Sequence, residues 1–122
     1  MGYYSDVAVV MRRKQYTELL KSIHAIADKI FKHDIVHLLK AGIVKKSPCK
    51  EWVVITWINR KWYEEQYHDV AFFQDFFNKL MQTYPASDYR IIRIGADYDD
   101  IEIYGECNEG IYLNRSIKIE FE

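Results

Sequence analysis

From Tyr16 onward the apolar residues Tyr16, Leu19, Leu20, Ile23, Ile26, Ala27, Ile30 and Phe31 recur at steps of three and four. That spacing lines one face of an α-helix. Lys21, Asp28, Lys29 and Lys32 occupy the other side. A helix with a single apolar stripe has to lay it on another layer of structure. The stripe runs on through Ile35, Leu38 and Leu39 to Gly42, a residue suited to closing a helix. The pattern therefore predicts one long helix, or two joined near residues 31–34.

The partner layer is written on both sides of that stripe. Residues 5–11 form a short β-branched run, apolar at both parities, as expected of a strand buried on both faces or lying centrally in a sheet. Residues 45–48, Lys-Lys-Ser-Pro, read as a connector, and residues 51–58 as a strand rich in Trp, Val, Ile and Thr. Asp69 is placed to cap a second helix, whose buried face is Val70, Phe73, Phe76, Phe77, Leu80 and Met81. Residues 84–87 end it. The last third reads as a meander of strands at 89–95, 100–105 and 111–121. In the last of these the odd-numbered Ile111, Leu113, Ile117, Ile119 and Phe121 alternate with polar residues. The order β-α-β-α-β-β-β implies an α+β fold. We expect a two-layer sandwich with a mainly antiparallel sheet of four to five strands and two amphipathic helices on one face.

A chain of 122 residues supports one domain, 1–122. Its 49% hydrophobic and 29% charged residues exclude disordered and coiled-coil classes. No run reaches the roughly 18 apolar residues of a membrane helix, and the N-terminus lacks the basic-then-apolar order of a signal peptide. Cys49 and Cys107 are too few for a disulfide framework or a zinc site of their own. The expectation is a cytoplasmic protein with reduced thiols.

The net charge of −1 hides a segregation. Residues 1–63 carry twelve Lys or Arg against five Asp or Glu, and residues 64–122 carry five against thirteen. The densest acidic stretch holds Asp97, Asp99, Asp100, Glu102, Glu106 and Glu109 with no cation between them. Such a run costs stability through like-charge repulsion unless something positive neutralises it. One resolution is internal: Arg90, Arg93 and Arg115 on neighbouring strands pair with it. The other is a docking surface for a basic protein, or for the basic half of a second copy.

Chemistry-bearing motifs are sparse. His33-Asp34-Ile35-Val36-His37 places two imidazoles one helical turn apart, as a zinc pair requires. Asp34 is shorter than the glutamate such sites use, and no third ligand follows at a known spacing. Asp97, Asp99 and Asp100 could offer oxygens to a hard cation, but the glycine and distal glutamate of a calcium loop are missing. Tyr104 stands where a nuclease E-x-K motif would need lysine. Gly-rich phosphate loops and a nucleophile elbow are absent. The basic residues Arg12, Arg13, Lys14, Lys45, Lys46, Lys50, Arg60 and Lys61 are spread over several elements, which disfavours a nucleic-acid groove. Trp57, Trp62, Tyr63 and Tyr67 cluster around a polar stretch, a composition shared by interface cores and by sheet ends.

Three stretches, Gly2-Tyr3-Tyr4-Ser5-Asp6-Val7-Ala8, Lys61-Trp62-Tyr63 and Arg93-Ile94-Gly95-Ala96-Asp97-Tyr98-Asp99-Asp100-Ile101-Glu102, resemble a group of small phage- and prophage-encoded proteins to which no activity is attached. The resemblance implies a bacterial cytoplasm and an accessory protein that acts by binding a host or phage factor. The leading expectation is a non-enzymatic binding module that modulates or inhibits a host protein and uses no cofactor. Its surface would be Asp97, Asp99, Asp100, Glu102 and Glu106, with Trp62 and Tyr63 as anchors. A homodimer is a further expectation. The alternatives are a metal-dependent hydrolase built on the same carboxylates and a nucleic-acid binder using the basic N-terminal half.

Overall fold

The computed structural model describes residues 3–109 and the backbone of residues 111–113 and 117–119. Strand β1 (Ser5–Arg12) leads directly into α1 (Arg13–His24), which a short bend joins to α2 (Lys29–Ala41). Then come β2 (Ile43–Lys46), β3 (Trp52–Arg60) and α3 (His68–Thr83). A 3₁₀ turn at Ala86–Asp88 precedes β4 (Tyr89–Gly95), β5 (Ile101–Gly105), β6 (Ile111–Leu113) and β7 (Ile117–Ile119). Five strands form one antiparallel sheet in the order β2-β3-β1-β4-β5, so the fold is α+β with its helices packed on the sheet.

The doubly apolar run at residues 5–11 becomes the central strand, because both of its faces are covered. Val7, Val9 and Met11 join Val53, Ile55, Trp57, Tyr89 and Ile91 beneath the helices, where Leu19, Ile23, Ile35, Leu38, Val70, Phe73, Phe77 and Leu80 complete the core. Ala8 and Val10 face the other way, with Val54, Ile92, Ile94 and Cys107, and all are buried. The edges of β1 are taken by β3 and β4, and the helices cover one face. The approach of β7 to β1 therefore comes from the opposite face.

Four details differ from the sequence reading. The helical stretch breaks at residues 25–28 rather than 31–34, because the Asp28 carboxylate accepts from the Phe31 amide at 2.9 Å and starts a new helix. Three helices result from two apolar stretches. Residues 43–46, half of them expected as connector, form an edge strand paired with residues 53–56. Asp69 does not cap α3: Tyr67 holds that position, and Asp69 lies in the first turn, where its carboxylate suits the positive end of the helix. The eleven-residue strand expected at 111–121 is instead a separate hairpin, with Ile111 opposite Ile119 and Leu113 opposite Ile117. Between them Asn114-Arg115-Ser116 supplies turn-forming residue types; these, like Phe121, lie outside the described residues.

Candidate functional site

The β4–β5 turn is tight: the Gly95 amide donates to the Asp100 carbonyl at 2.8 Å and the Asp100 amide to the Asp97 carbonyl at 3.1 Å. It brings Asp100 over the end of β4, where Arg93 stands opposite Glu102 in the ladder. The Arg93 guanidinium donates to Asp100 Oδ1 at 2.6 Å and Oδ2 at 3.2 Å, to Glu102 Oε1 at 3.0 Å and to Ser5 Oγ at 3.1 Å. Tyr3 closes the cluster from the far end of the chain. Its hydroxyl donates to Asp100 Oδ2 at 2.7 Å and accepts from the Asp97 amide at 3.0 Å. The Tyr3 amide in turn donates to the Tyr63 hydroxyl.

A side chain at position 95 would push Asp100 and Tyr3 out of this packing. A Cβ there would stand 2.0 Å from Asp100 Oδ2 and 2.4 Å from the Tyr3 hydroxyl. The hydrogen bonds from Arg93, and then from Tyr3, hold the Asp100 carboxyl below its ordinary range. The same carboxylate, followed by Glu102, holds the Arg93 guanidinium far above its own ordinary value. The cluster is a closed ion-pair network.

Tyr3, Ser5, Tyr63, and Arg93 with Gly95 and Asp100 thus meet at one end of the sheet. Of the acidic surface residues, Asp100 and Glu102 are tied to Arg93, Asp97 and Asp99 are exposed in the turn, and Glu106 is exposed past the opposite end of β5, its amide donating to the Ala86 carbonyl at 2.7 Å. Arg90 does not join: its guanidinium donates to Asn108 at 2.9 Å. Arg115 lies outside the described residues.

The two aromatic anchors separate. Tyr63 reaches the cluster through Tyr3 and stacks on Tyr67 with centroids 6.1 Å apart. Trp62 belongs to the core, stacked on Phe77 at 6.2 Å and tilted against the buried Trp57 at 5.1 Å. Its indole N–H donates to Gln74 Oε1 at 3.3 Å. Sequence reasoning misses Tyr3 and Gly95 as site residues, since nothing local to Tyr3 forecasts a contact 97 residues away.

His33 and His37 do share one face of α2, with rings stacked 6.3 Å apart. Lys29, Lys32, Val36 and Lys40 line the same shallow depression, so these imidazoles sit among cations. Asp34 turns away to His68, Oδ2 to Nε2 2.7 Å. Among the described residues no group of three His, Cys, Asp or Glu is placed to hold a metal ion, at this pair or at the acidic turn.

The charge segregation of the sequence becomes a segregation across the sheet. The edge strand β2 carries Lys45 and Lys46, and the opposite edge strand β5 carries Glu102 beside the Asp97–Asp99–Asp100 turn. Among the described residues both strands are paired on one side only. Among the described residues, no helix is long and apolar enough to cross a membrane. No protein-family model, no curated protein and no solved structure matches the chain.

Proposed function

We propose that this chain is a small non-enzymatic protein-binding module whose binding surface is the acidic β4–β5 edge. The observation that carries the reading is the chemistry of β5. Among the described residues it is an edge strand, paired on one side only, with a half-exposed Glu102 that also meets Arg93 and with exposed Ile103 and Tyr104. Exposed Asp97, Asp99 and Glu106 flank it and set the sign of the partner, a protein with a basic surface. The Arg93–Asp100–Tyr3 network serves that surface by fixing the turn. Within this reading Trp62 is a core residue, and Tyr63 supports Tyr3.

The hydrolase alternative draws on the same carboxylates, Asp97, Asp99, Asp100, Glu102 and Glu106; at Asp100 and Glu102 a cation would first have to displace the Arg93 guanidinium, and among the described residues no three such groups are placed to hold a metal ion. The phage resemblance supplies the setting we assign, a bacterial cytoplasm in which the module modulates a host or phage factor. The test is affinity capture from a bacterial lysate with the native protein and with a triple variant, Asp97→Asn, Asp99→Asn and Glu106→Gln. A basic protein retained by the first and lost by the second supports the reading. Identical retention by both, or retention of nothing, overturns it.

A further inference from the structure

Deepening the reading of β5 as a binding edge, and resting on it, we propose that the β5 edge takes as its partner the β2 edge of a second copy of this chain, joined head to tail.

The first reason is charge. Pairing two β2 edges joins strands whose charges, Lys45 and Lys46, are all positive, and pairing two β5 edges joins strands whose charges, Glu102 and the aspartate turn, are all negative; like charges within one strand pair repel. Only the mixed pairing brings base to acid. Each edge is thereby protected against itself and open to the other.

The second reason is direction and face. Every neighbouring pair in the order β2-β3-β1-β4-β5 is antiparallel, so β2 and β5 run the same way. A copy set alongside with its helices on the same side offers its β2 parallel to β5, and the sheet continues. Side chains then match by face. Val44 and Lys46 stand opposite Ile55 and Val53, on the helix side; Tyr104 and Glu102 stand opposite Ile91 and Arg93, on the same side. Ile43 and Lys45 share the other face with Thr56 and Val54, as Ile103 and Ile101 do with Ile92 and Ile94. The joint therefore sets Glu102 and Tyr104 beside Val44 and Lys46, and the isoleucines of β5 beside Ile43.

The third reason is bare apolar surface. Ile43 is 46% exposed, Ile103 41% and Tyr104 43%, and the joint covers all three. Strands this short bury little area, so the association is weak and concentration-dependent. Because the contact is heterologous, it extends beyond two copies.

Sedimentation velocity reads this out. The wild-type chain at low salt is expected to sediment faster as its concentration rises to about 1 mM, and added salt to reduce that rise. Lys46→Glu on β2 and Ile103→Lys on β5 each reduce association at least about tenfold when studied alone. Mixed, they form a one-to-one dimer that grows no further, since each variant keeps the edge the other lacks. Both side chains are exposed; if Ile103→Lys lowers the melting temperature, Tyr104→Lys replaces it. A wild-type chain that stays monomeric overturns the inference. So does association that survives Lys46→Glu, or a mixture of the two variants that stays monomeric. The lysate capture separates this failure from that of the underlying reading: a monomer that still retains a basic protein through Asp97, Asp99 and Glu106 overturns self-pairing alone, whereas one that retains nothing overturns both.

Discussion

Replacing Arg93 with methionine keeps most of the aliphatic stem and removes the guanidinium on which the β4–β5 turn is built. The side chain is only 19% exposed, so its partners lose more than a solvated salt bridge would cost. Glu102 is 47% exposed at its side chain and returns to water at little penalty. The Asp100 carboxylate loses a bidentate, charge-assisted contact at 2.6 and 3.2 Å, keeping only Tyr3. Hydrogen bonds to charged groups contribute about 1.5–3 kcal/mol, and the partial exposure of Asp100 places the loss near 2 kcal/mol. For a chain of this size that corresponds to a fall in melting temperature of about 8 °C. The pH dependence adds a second signature. Asp100 has its folded-state pKa lowered, first by Arg93 and then by Tyr3. The stabilisation is therefore complete above the ordinary carboxyl pKa of about 4 and is lost as pH falls through the lower folded value. Thermal melts of both proteins should differ most near neutrality and converge under acid. A difference below about 2 °C at pH 7, or one that persists unchanged in acid, would refute the account of the cluster as an ion-pair network.

Three further outcomes are expected. Gly105 adopts φ +85°, and a Cβ there would lie 2.2 Å from the Tyr89 carbonyl oxygen; Gly105→Ala should cost about 2 kcal/mol or more in chemical denaturation, since the obstacle is backbone. Trp57→Phe removes the indole donor held 2.8 Å from the buried Leu38 carbonyl and leaves a void beside Phe73; a loss of about 2–3 kcal/mol in urea unfolding checks it. Cys49 is exposed with its thiol pKa lowered by the Ser47 hydroxyl, whereas burial raises that of Cys107. A thiol reagent followed by mass spectrometry should modify Cys49 rapidly and Cys107 only under denaturing conditions.

What could be read from the chain in advance was the part governed by local period and burial. The helical stripe, the doubly apolar first strand and the aromatic face of α3 each declare themselves within a dozen residues. The break between α1 and α2 was misplaced because the apolar stripe continues in nearly the same phase across it, and only Asp28 marks the restart. Strand β2 was half hidden, since Lys45 and Lys46 suit a linker as well as a charged sheet edge. At the site, the internal pairing that the charges allowed is realised in part: the ladder register sets Arg93 against Glu102 and the turn brings Asp100 to it, while Arg90 goes to Asn108. Tyr3 was out of reach of local reasoning: it meets Asp100 only because β1 and β4 are neighbours. Trp62 looked like an anchor because it stands among charges in sequence, yet the end of β3 turns it toward Phe77.

The central place of β1 has a consequence for how the molecule assembles. Its hydrogen-bonding partners are residues 52–60 on one side and 89–95 on the other, so during synthesis β1 waits until residue 95 has followed it before it is flanked on both sides. Until then its valines are exposed on an unfinished ribbon, and closing such distant pairings is slow. Until residue 95 has emerged, nascent β1 therefore presents the kind of exposed apolar surface that chaperones bind.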